Sequence, residues 1–326
     1  MARWLLAILV VAFAVPAQAE MIRLRYGESH STLRSIFSLP IFVAERQGFF
    51  LREGLDFQMI VPQPDGSDNM IKALHDGMFD ITHVPTPYLI RRALAGSDVV
   101  AIAGEFKNAV YSLIAKPGIK NFSDLKGKRI GFADKDGTIT LSMRKLLALH
   151  GLKEGDYIVE LVEGTPSRFS CLKAGDCDAV PLGQPHDVTA QAEGFTLLGR
   201  STEAMPAILY TVTAVRRSWA EANQEAVTRY LRALRAAFKF IHDPDRRREV
   251  IDIVANNSGM SKTTAAAVLS LFFEPERNVL PLEGEIDMAG LANVIALMAE
   301  RGEISGRLPA PEQFVERKYL QAAGVK

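Results

Sequence analysis

One short stretch of this chain occurs twice, and the repeat limits how the chain can fold. Leu74-His-Asp-Gly77-Met-Phe-Asp80-Ile corresponds to Leu172-Lys-Ala-Gly175-Asp-Cys-Asp178-Ala, with the glycines and the aspartates each 98 residues apart. Upstream, Gly54-Leu55 is matched by Gly151-Leu152 at a spacing of 97; downstream, Pro85-Thr-Pro87 is matched by Pro181-Leu-Gly-Gln-Pro185. In each copy a glycine ends a helix, a tight turn follows, and a strand is broken at its far end by prolines that leave polar backbone groups unpaired. Matches in register predict two lobes built alike, and two copies are too few for a solenoid.

Around these copies short β-rich runs alternate with helical patterns. Residues 22–26, 55–61, 80–84 and 99–103 read as strands, and helices are predicted over 40–47, around Met70, Ile71 and Leu74, and over 88–95. Strands separated by helices of this length imply βαβ crossovers, so the fold class is α/β. In the second copy Thr165 and Pro166 read as an N-cap followed by proline at N1, opening a helix that Gly175 ends. Asp136-Gly137-Thr138-Ile-Thr140 precedes a helix with Ile139, Met143, Leu146 and Leu147 on one face. After a strand over 210–215, Ser218-Trp-Ala-Glu221 reads as a capping box. It opens a long helix with Val227, Tyr230, Leu231, Leu234, Phe238 and Ile241 at helical spacing, and with Arg229, Arg232, Arg235 and Lys239 on a solvated face.

The first residues do not belong to the fold. Arg3, an apolar run over 4–15 and Ala17-Gln18-Ala19 have the layout of a signal peptide for export, cleaved after Ala19. A membrane span needs roughly 20 apolar residues, and Pro16, Gln18 and Glu20 end this run well short. No cysteine follows the run, so no lipid anchor is expected, and the product reads as soluble and exported. Across 326 residues, 38 Lys and Arg balance 38 Asp and Glu, which argues against a nucleic acid or an acidic membrane surface as partner. With 48% hydrophobic and 23% charged residues, disordered and collagen-like chains are excluded, and the length fits two domains or one large one. Export changes how Cys171 and Cys177 read: in an oxidising compartment they can close a small-loop disulfide or stay as two buried thiols flanking a turn, and geometry decides. Neither case supplies the four ligands usual for zinc.

Gly48-Phe-Phe-Leu-Arg-Glu-Gly54-Leu55, then Ala73-Leu-His-Asp-Gly77 to Asp80, then Asp124-Leu-Lys-Gly127-Lys-Arg-Ile-Gly131, then residues 172–179 follow one another in an order that resembles the substrate-binding proteins of ABC importers for nitrate, sulfonates, taurine and thiamine-precursor pyrimidines. The resemblance covers nearly all of the chain after residue 19. It implies a two-lobed periplasmic-binding-protein fold of type II-like form, each lobe a mixed sheet flanked by helices, with a hinge crossed twice and the ligand held in the cleft. It also implies residence in the periplasm as a monomer without cofactor or metal, and a partner permease with its cytoplasmic ATPase, the membrane being met only through that permease. One lobe is expected at 21–108 plus 212–326 and the other at 109–211, with hinge stretches over 106–109 and 207–210. For the basic face of the long helix, permease docking is the alternative to solvation.

In open α/β sheets a ligand lies beyond the carboxyl ends of the strands, where helix N-termini offer free N–H groups. Applied strand by strand, this selects Ser29, His30, Ser31 and Thr32 beside Glu28, then Thr82, His83 and Thr86, then Asp136, Gly137, Thr138 and Thr140, then Gln184 and His186. Arg34 and Arg168 can clamp a carboxylate or sulfonate, and Phe37, Tyr88 and Phe106 can stack on a flat ligand. Each has an ordinary alternative. Ser and Thr cap helices, histidines sit in solvent, aromatic rings pack in cores, and a helix-borne arginine such as Arg168 is usually solvated. Asp134, Asp136, Glu163 and Asp187 lie close in the chain and would repel an anion, favouring a protonated amine or the N–H edge of a heterocycle. The ligand therefore stays open between a small organic anion and an aminopyrimidine-like heterocycle. Chemistry on the same fold is the competing class, against which stands the lack of a Ser-His-Asp order, an HExxH pair or a phosphate-cradling loop. A sensory receptor in place of the permease is a third reading.

Overall fold

The computed structural model describes residues 21–325 except 109, 136, 206–207 and 274–278. The expected signal over 1–19 and Asp136 lie outside the described residues, as do Ala109 and Ala207 of the expected hinge. Strands β1 (Ile22–Gly27), β2 (Leu55–Ile60), β3 (Ile81–Pro85) and β4 (Val99–Phe106) alternate with the helices Leu39–Arg46, Ser67–His75 and Thr86–Leu94. Strands β5 (Ser112–Ala115), β6 (Arg129–Phe132), β7 (Ile158–Leu161), β8 (Ala179–Leu182) and β9 (Thr196–Arg200) alternate with the helices Thr138–Leu149, Thr165–Ala174 and His186–Ala192, and β10 (Thr211–Arg216) follows. They form two five-stranded sheets, ordered β2-β1-β3-β10-β4 and β7-β6-β8-β5-β9.

The two orders are one topology used twice. In each sheet the first βαβ strands pair in parallel, and an antiparallel strand then separates them from the last. That antiparallel strand, β5 or β10, is the one by which the chain enters after leaving the other sheet, so each lobe is completed by a strand delivered across the hinge. The crossings run side by side: Tyr210 N–H donates to Phe106 O at 2.8 Å, Ser201 N–H to Tyr111 O at 2.9 Å, and Ile208 N–H to Asn108 Oδ1 at 3.3 Å.

The repeated turn has a physical purpose. Gly77 and Gly175 both sit at positive φ, 80° and 86°, where a side chain is strained. Each turn then delivers an aspartate onto the neighbouring strand. Asp80 accepts from Arg25 N at 3.0 Å and Arg25 Nη2 at 2.6 Å, while Asp178 accepts from Arg129 N at 2.9 Å and Lys116 Nζ at 2.7 Å. So β3 is locked to β1, and β8 to β6, by the same charged clamp. Cys171 and Cys177 close a disulfide around the second turn, with Cα atoms 5.3 Å apart.

The core of the first lobe lies between its sheet and the helix Gln224–His242, whose Val227, Tyr230, Leu231, Leu234, Phe238 and Ile241 are all buried. Tyr230 stacks on Tyr26 of β1 and on Phe50, with ring centroids 6.3 and 5.7 Å apart. The opposite face is paired instead of simply solvated: Arg229 bonds Glu225, Arg232 bonds Glu53, and Arg235 and Lys239 both reach Glu283. Two local expectations fail. Ser218 does not form a capping box, because the helix Arg217–Ala222 ends before the long helix begins and the Ser218 hydroxyl donates to Asp98. Thr165 lies inside its helix, with Gly164 at the cap. Among the described residues no helix is long and apolar enough to cross a membrane.

Candidate functional site

Between the sheets lies a cavity of about 940 Å³, walled by the carboxyl ends of strands of both lobes and by the helix starts that follow them. Of the residues selected from the sequence, it brings together Ser29, His30, Ser31, Thr32, His83, Thr138, Arg168, Gln184 and His186, with Arg34 exposed at the mouth. Thr82, Thr86, Gly137 and Thr140 are not in its wall. The Thr82 hydroxyl donates to Gly27 O at 2.8 Å, Thr86 to Leu209 O at 2.6 Å and Thr140 to Asp134 O at 3.0 Å, so these side chains satisfy backbone carbonyls instead of a ligand. Phe37 and Tyr88 line the cavity, whereas Phe106 packs edge-on beneath Phe37.

The hydroxyl-rich loop after β1 is internally saturated. The fully buried Glu28 accepts from Ser29 N at 2.9 Å, Thr32 Oγ1 at 2.5 Å and Ser38 Oγ at 2.9 Å. Asp65, from the loop after β2, accepts from Ser29 Oγ at 2.6 Å, His30 N at 2.9 Å and Ser31 N at 3.0 Å. The helix start at Thr138 is treated likewise: Asp134 accepts from Gly137 N and from Tyr88 OH of the other lobe. These are the places where the sequence reading seats an anion, and the protein's own carboxylates occupy them.

His83 lines the cavity, but its nitrogens are committed elsewhere. Nε2 lies 3.4 Å from Glu28 Oε1; Nδ1 is hydrogen-bonded to Tyr26 OH at 3.1 Å and lies 3.3 Å from Glu105 Oε2, off the hydrogen-bond axis. Burial opposes charge on the ring, yet Glu28 and Glu105 override it and raise the pKa to about 9. His83 is thus a buried imidazolium that neutralises the carboxylates behind the loop.

Arg168 overturns the expectation of a solvated arginine: it is only 1% exposed. Its Nε donates to Pro181 O at 2.8 Å, Nη1 to Val162 O at 3.2 Å and Nη2 to Thr165 Oγ1 at 3.0 Å. All three acceptors are uncharged, and among the described residues no carboxylate is within ion-pair distance of the guanidinium. Burial pulls its pKa down, opposed by Tyr111, Tyr210, Asp134 and Glu163 nearby. The Tyr210 hydroxyl donates to the Tyr111 hydroxyl at 3.3 Å, and both tyrosines line the cavity next to Arg168. Gln184 gives its Nε2 to Asp187 at 2.8 Å, leaving Oε1 unpaired, as is the Thr138 hydroxyl. His186, half-buried near Arg168 and Lys173, has its pKa lowered, first by burial and then by those cations.

The lobes meet over the cavity. Besides the 2.5 Å bond from Tyr88 to Asp134, Lys145 pairs with Glu300 at 2.9 Å, and Phe37 stacks on Tyr111 with centroids 5.7 Å apart. Glu163 leans over Gly66 of the first lobe so closely that a Cβ there would collide with its Oε1. Burial, then Asp65, Asp134 and Asp68, push the Glu163 carboxyl up. The sequence reading missed Asp65, Tyr111 and Tyr210. The strand-end rule, carried to the loop after β2, would have found Asp65 in Asp65-Gly66-Ser67; the tyrosines have no sequence signal beyond their place at the crossings.

Comparison with known proteins agrees with this architecture. The periplasmic aliphatic sulphonate-binding protein SsuA of Escherichia coli superposes with a TM-score of 0.70 over 93% of this chain and 99% of its own, at 19% identity, a likeness of fold. The nitrate/nitrite binding protein NrtA of Nostoc sp. is 24% identical over 242 residues, 67% of this chain and 54% of NrtA. A 4-amino-5-hydroxymethyl-2-methylpyrimidine phosphate synthase of Schizosaccharomyces pombe is 28% identical over 123 residues, 37% of this chain and 34% of the synthase. The chain thus matches about half the length of the first relative and a third of the second. The profile described as NMT1/THI5 like matches residues 37–247, well over half of the sequence, and the chain belongs to the NMT1/THI5-like family.

Proposed function

We propose that this protein is the extracytoplasmic solute-binding component of an ABC importer, which captures a small organic solute with an anionic group, a sulfonate or carboxylate, between its lobes and delivers it to a membrane permease coupled to a cytoplasmic ATPase. The observation that carries this reading is Arg168: a buried guanidinium at the cavity, bonded only to uncharged acceptors. A buried charge is costly unless a counter-charge reaches it, and three of its five N–H donors are used, leaving two for a bidentate acceptor. Thr165 and the Tyr111 and Tyr210 hydroxyls surround the same point. The volume of about 940 Å³ and the apolar wall of Met70, Val84 and Ile139 favour an organic body over a bare inorganic ion. Relatives named for binding nitrate and sulphonates support the same role, and the expected export signal over residues 1–19 supports the periplasm.

A second reading has one observation in its favour. Glu163 and Asp134 in the wall suit the N–H edge of an aminopyrimidine, and a relative is named as a pyrimidine phosphate synthase. Thermal-shift screening of sulfonates, aromatic carboxylates, nitrate and aminopyrimidines separates the two. A ligand at 100 times its Kd stabilises the native state by about 2.7 kcal/mol. An organic anion should raise the melting temperature, and Arg168→Gln should abolish that rise while keeping the native circular dichroism spectrum. Turnover of a compound that never shifts the melting temperature would overturn the receptor reading.

A further inference from the structure

We infer that Asp65 restricts the cleft to ligands with a single anionic group, by filling with the protein's own carboxylate the donors of the first lobe that would hold a second one. This rests on the anion reading of Arg168 above. Two backbone N–H groups and a hydroxyl, from Ser31, His30 and Ser29, converge on one carboxylate at 2.6–3.0 Å. That is the donor set by which a loop grips a sulfonate or carboxylate. Although burial works the other way, these bonds and one from Gly66 N hold the Asp65 carboxyl below the ordinary range. It is therefore an anion at neutral pH, bound in an anion's place.

Two further carboxylates hold donors beside it. Glu28 uses Ser29 N, Thr32 Oγ1 and Ser38 Oγ, and Asp134 uses Gly137 N at the helix start opposite. The His83 imidazolium in this wall already faces Glu28 and Glu105. Asp68 and Glu163 add negative charge around Asp65, and Glu163 comes from the facing lobe, so closure brings it toward any group lodged there. Among the described residues Arg168 is the buried guanidinium of the wall with no carboxylate at ion-pair distance, and it belongs to the lobe that faces Asp65. A ligand with one acidic head seats it on Arg168 and turns a neutral or N–H-bearing end to Asp65. A dianion must place its second charge against Asp65 and Glu163.

The test uses the mature chain and two matched probe pairs, propane-1-sulfonate with propane-1,3-disulfonate and benzenesulfonate with benzene-1,3-disulfonate, titrated calorimetrically at constant ionic strength. In the wild type the monosulfonate of at least one pair should bind about tenfold or more tighter than its disulfonate. Asp65→Asn, by removing the repelling charge, and independently Asp65→Ser, by freeing the donors as well, should narrow that ratio about tenfold by admitting the second sulfonate. A disulfonate that binds the wild type as tightly as its partner overturns the inference whether or not the variants fold, and so does an unchanged ratio in a folded variant; either result leaves the receptor reading standing. Binding of a neutral aminopyrimidine with no sulfonate bound overturns both this inference and the anion reading of Arg168. Binding of none of these compounds, with turnover of any of them, overturns the receptor reading itself.

Discussion

At His83 a single ring separates two buried carboxylates, and the pH dependence of the fold follows. Burial disfavours the charged ring, but Glu28 and Glu105 raise its pKa from an ordinary 6.5 to about 9. The native state therefore binds this proton more tightly than the unfolded chain does. Its contribution, on the order of 3 kcal/mol, is complete below about pH 6.5 and is lost as pH rises through about 9. Urea denaturation at increasing pH should show stability falling across that interval. His83→Gln should cost about 3–5 kcal/mol near pH 6, because two carboxylates lose their counter-charge, and should flatten the profile. A wild-type profile level from pH 6 to 9.5 would contradict this. Arg168 teaches a different lesson at the same scale. Helix-borne arginines usually face water, yet Arg168 stands one turn before the buried Leu172 and shares its face. The spacing was readable; that an arginine occupies the buried stripe was hidden, because the charge is accommodated by Pro181 O and Val162 O, which the fold alone brings near.

Among the elements, the duplicated Gly–Asp turn was the most legible, since every part of it is local. Glycine supplies the positive φ, and the aspartate that clamps the neighbouring strand is three residues away in the chain. Asp80→Ala should lower stability by about 1–3 kcal/mol by leaving Arg25 N without its acceptor, and Asp178→Ala should do the same at Arg129 N. Equal effects in the two lobes, read from urea midpoints, are expected if the turns do the same work; a neutral result at either would end that equivalence. The long helix was read correctly on its apolar face and wrongly at its start. Ser218 has a long-range partner in Asp98, 120 residues away, which no spacing rule exposes. The hydroxyl-rich loop after β1 misled for the same reason: Ser29 and Ser31 look like open donors until Asp65, from another loop, is folded onto them.

For the whole molecule, the cleft is held by contacts between residues far apart in sequence. Tyr88 donates across it to Asp134, and Lys145 reaches Glu300, while Glu163 approaches Asp65 and Asp68 with like charge. Closure is thus a balance of a few opposed terms. Tyr88→Phe removes a bond to a carboxylate worth about 1.5–3 kcal/mol, so the open population should rise about tenfold or more. Small-angle X-ray scattering of the ligand-free chain should report a larger radius of gyration in this variant; an unchanged curve would remove the bond from the closing mechanism. The residues 22–26, 55–61 and 80–84 and the 98-residue echo were enough, by themselves, to determine an α/β chain of two similar lobes, because periodicity and turn chemistry act between near neighbours. Only the tertiary structure decided which charges remain uncompensated in the cleft. Asp65 finds its donors, Asp134 its Tyr88 and Arg168 its buried place through contacts between separate loops, strands and helices, and the sign of the site is what those pairings leave over.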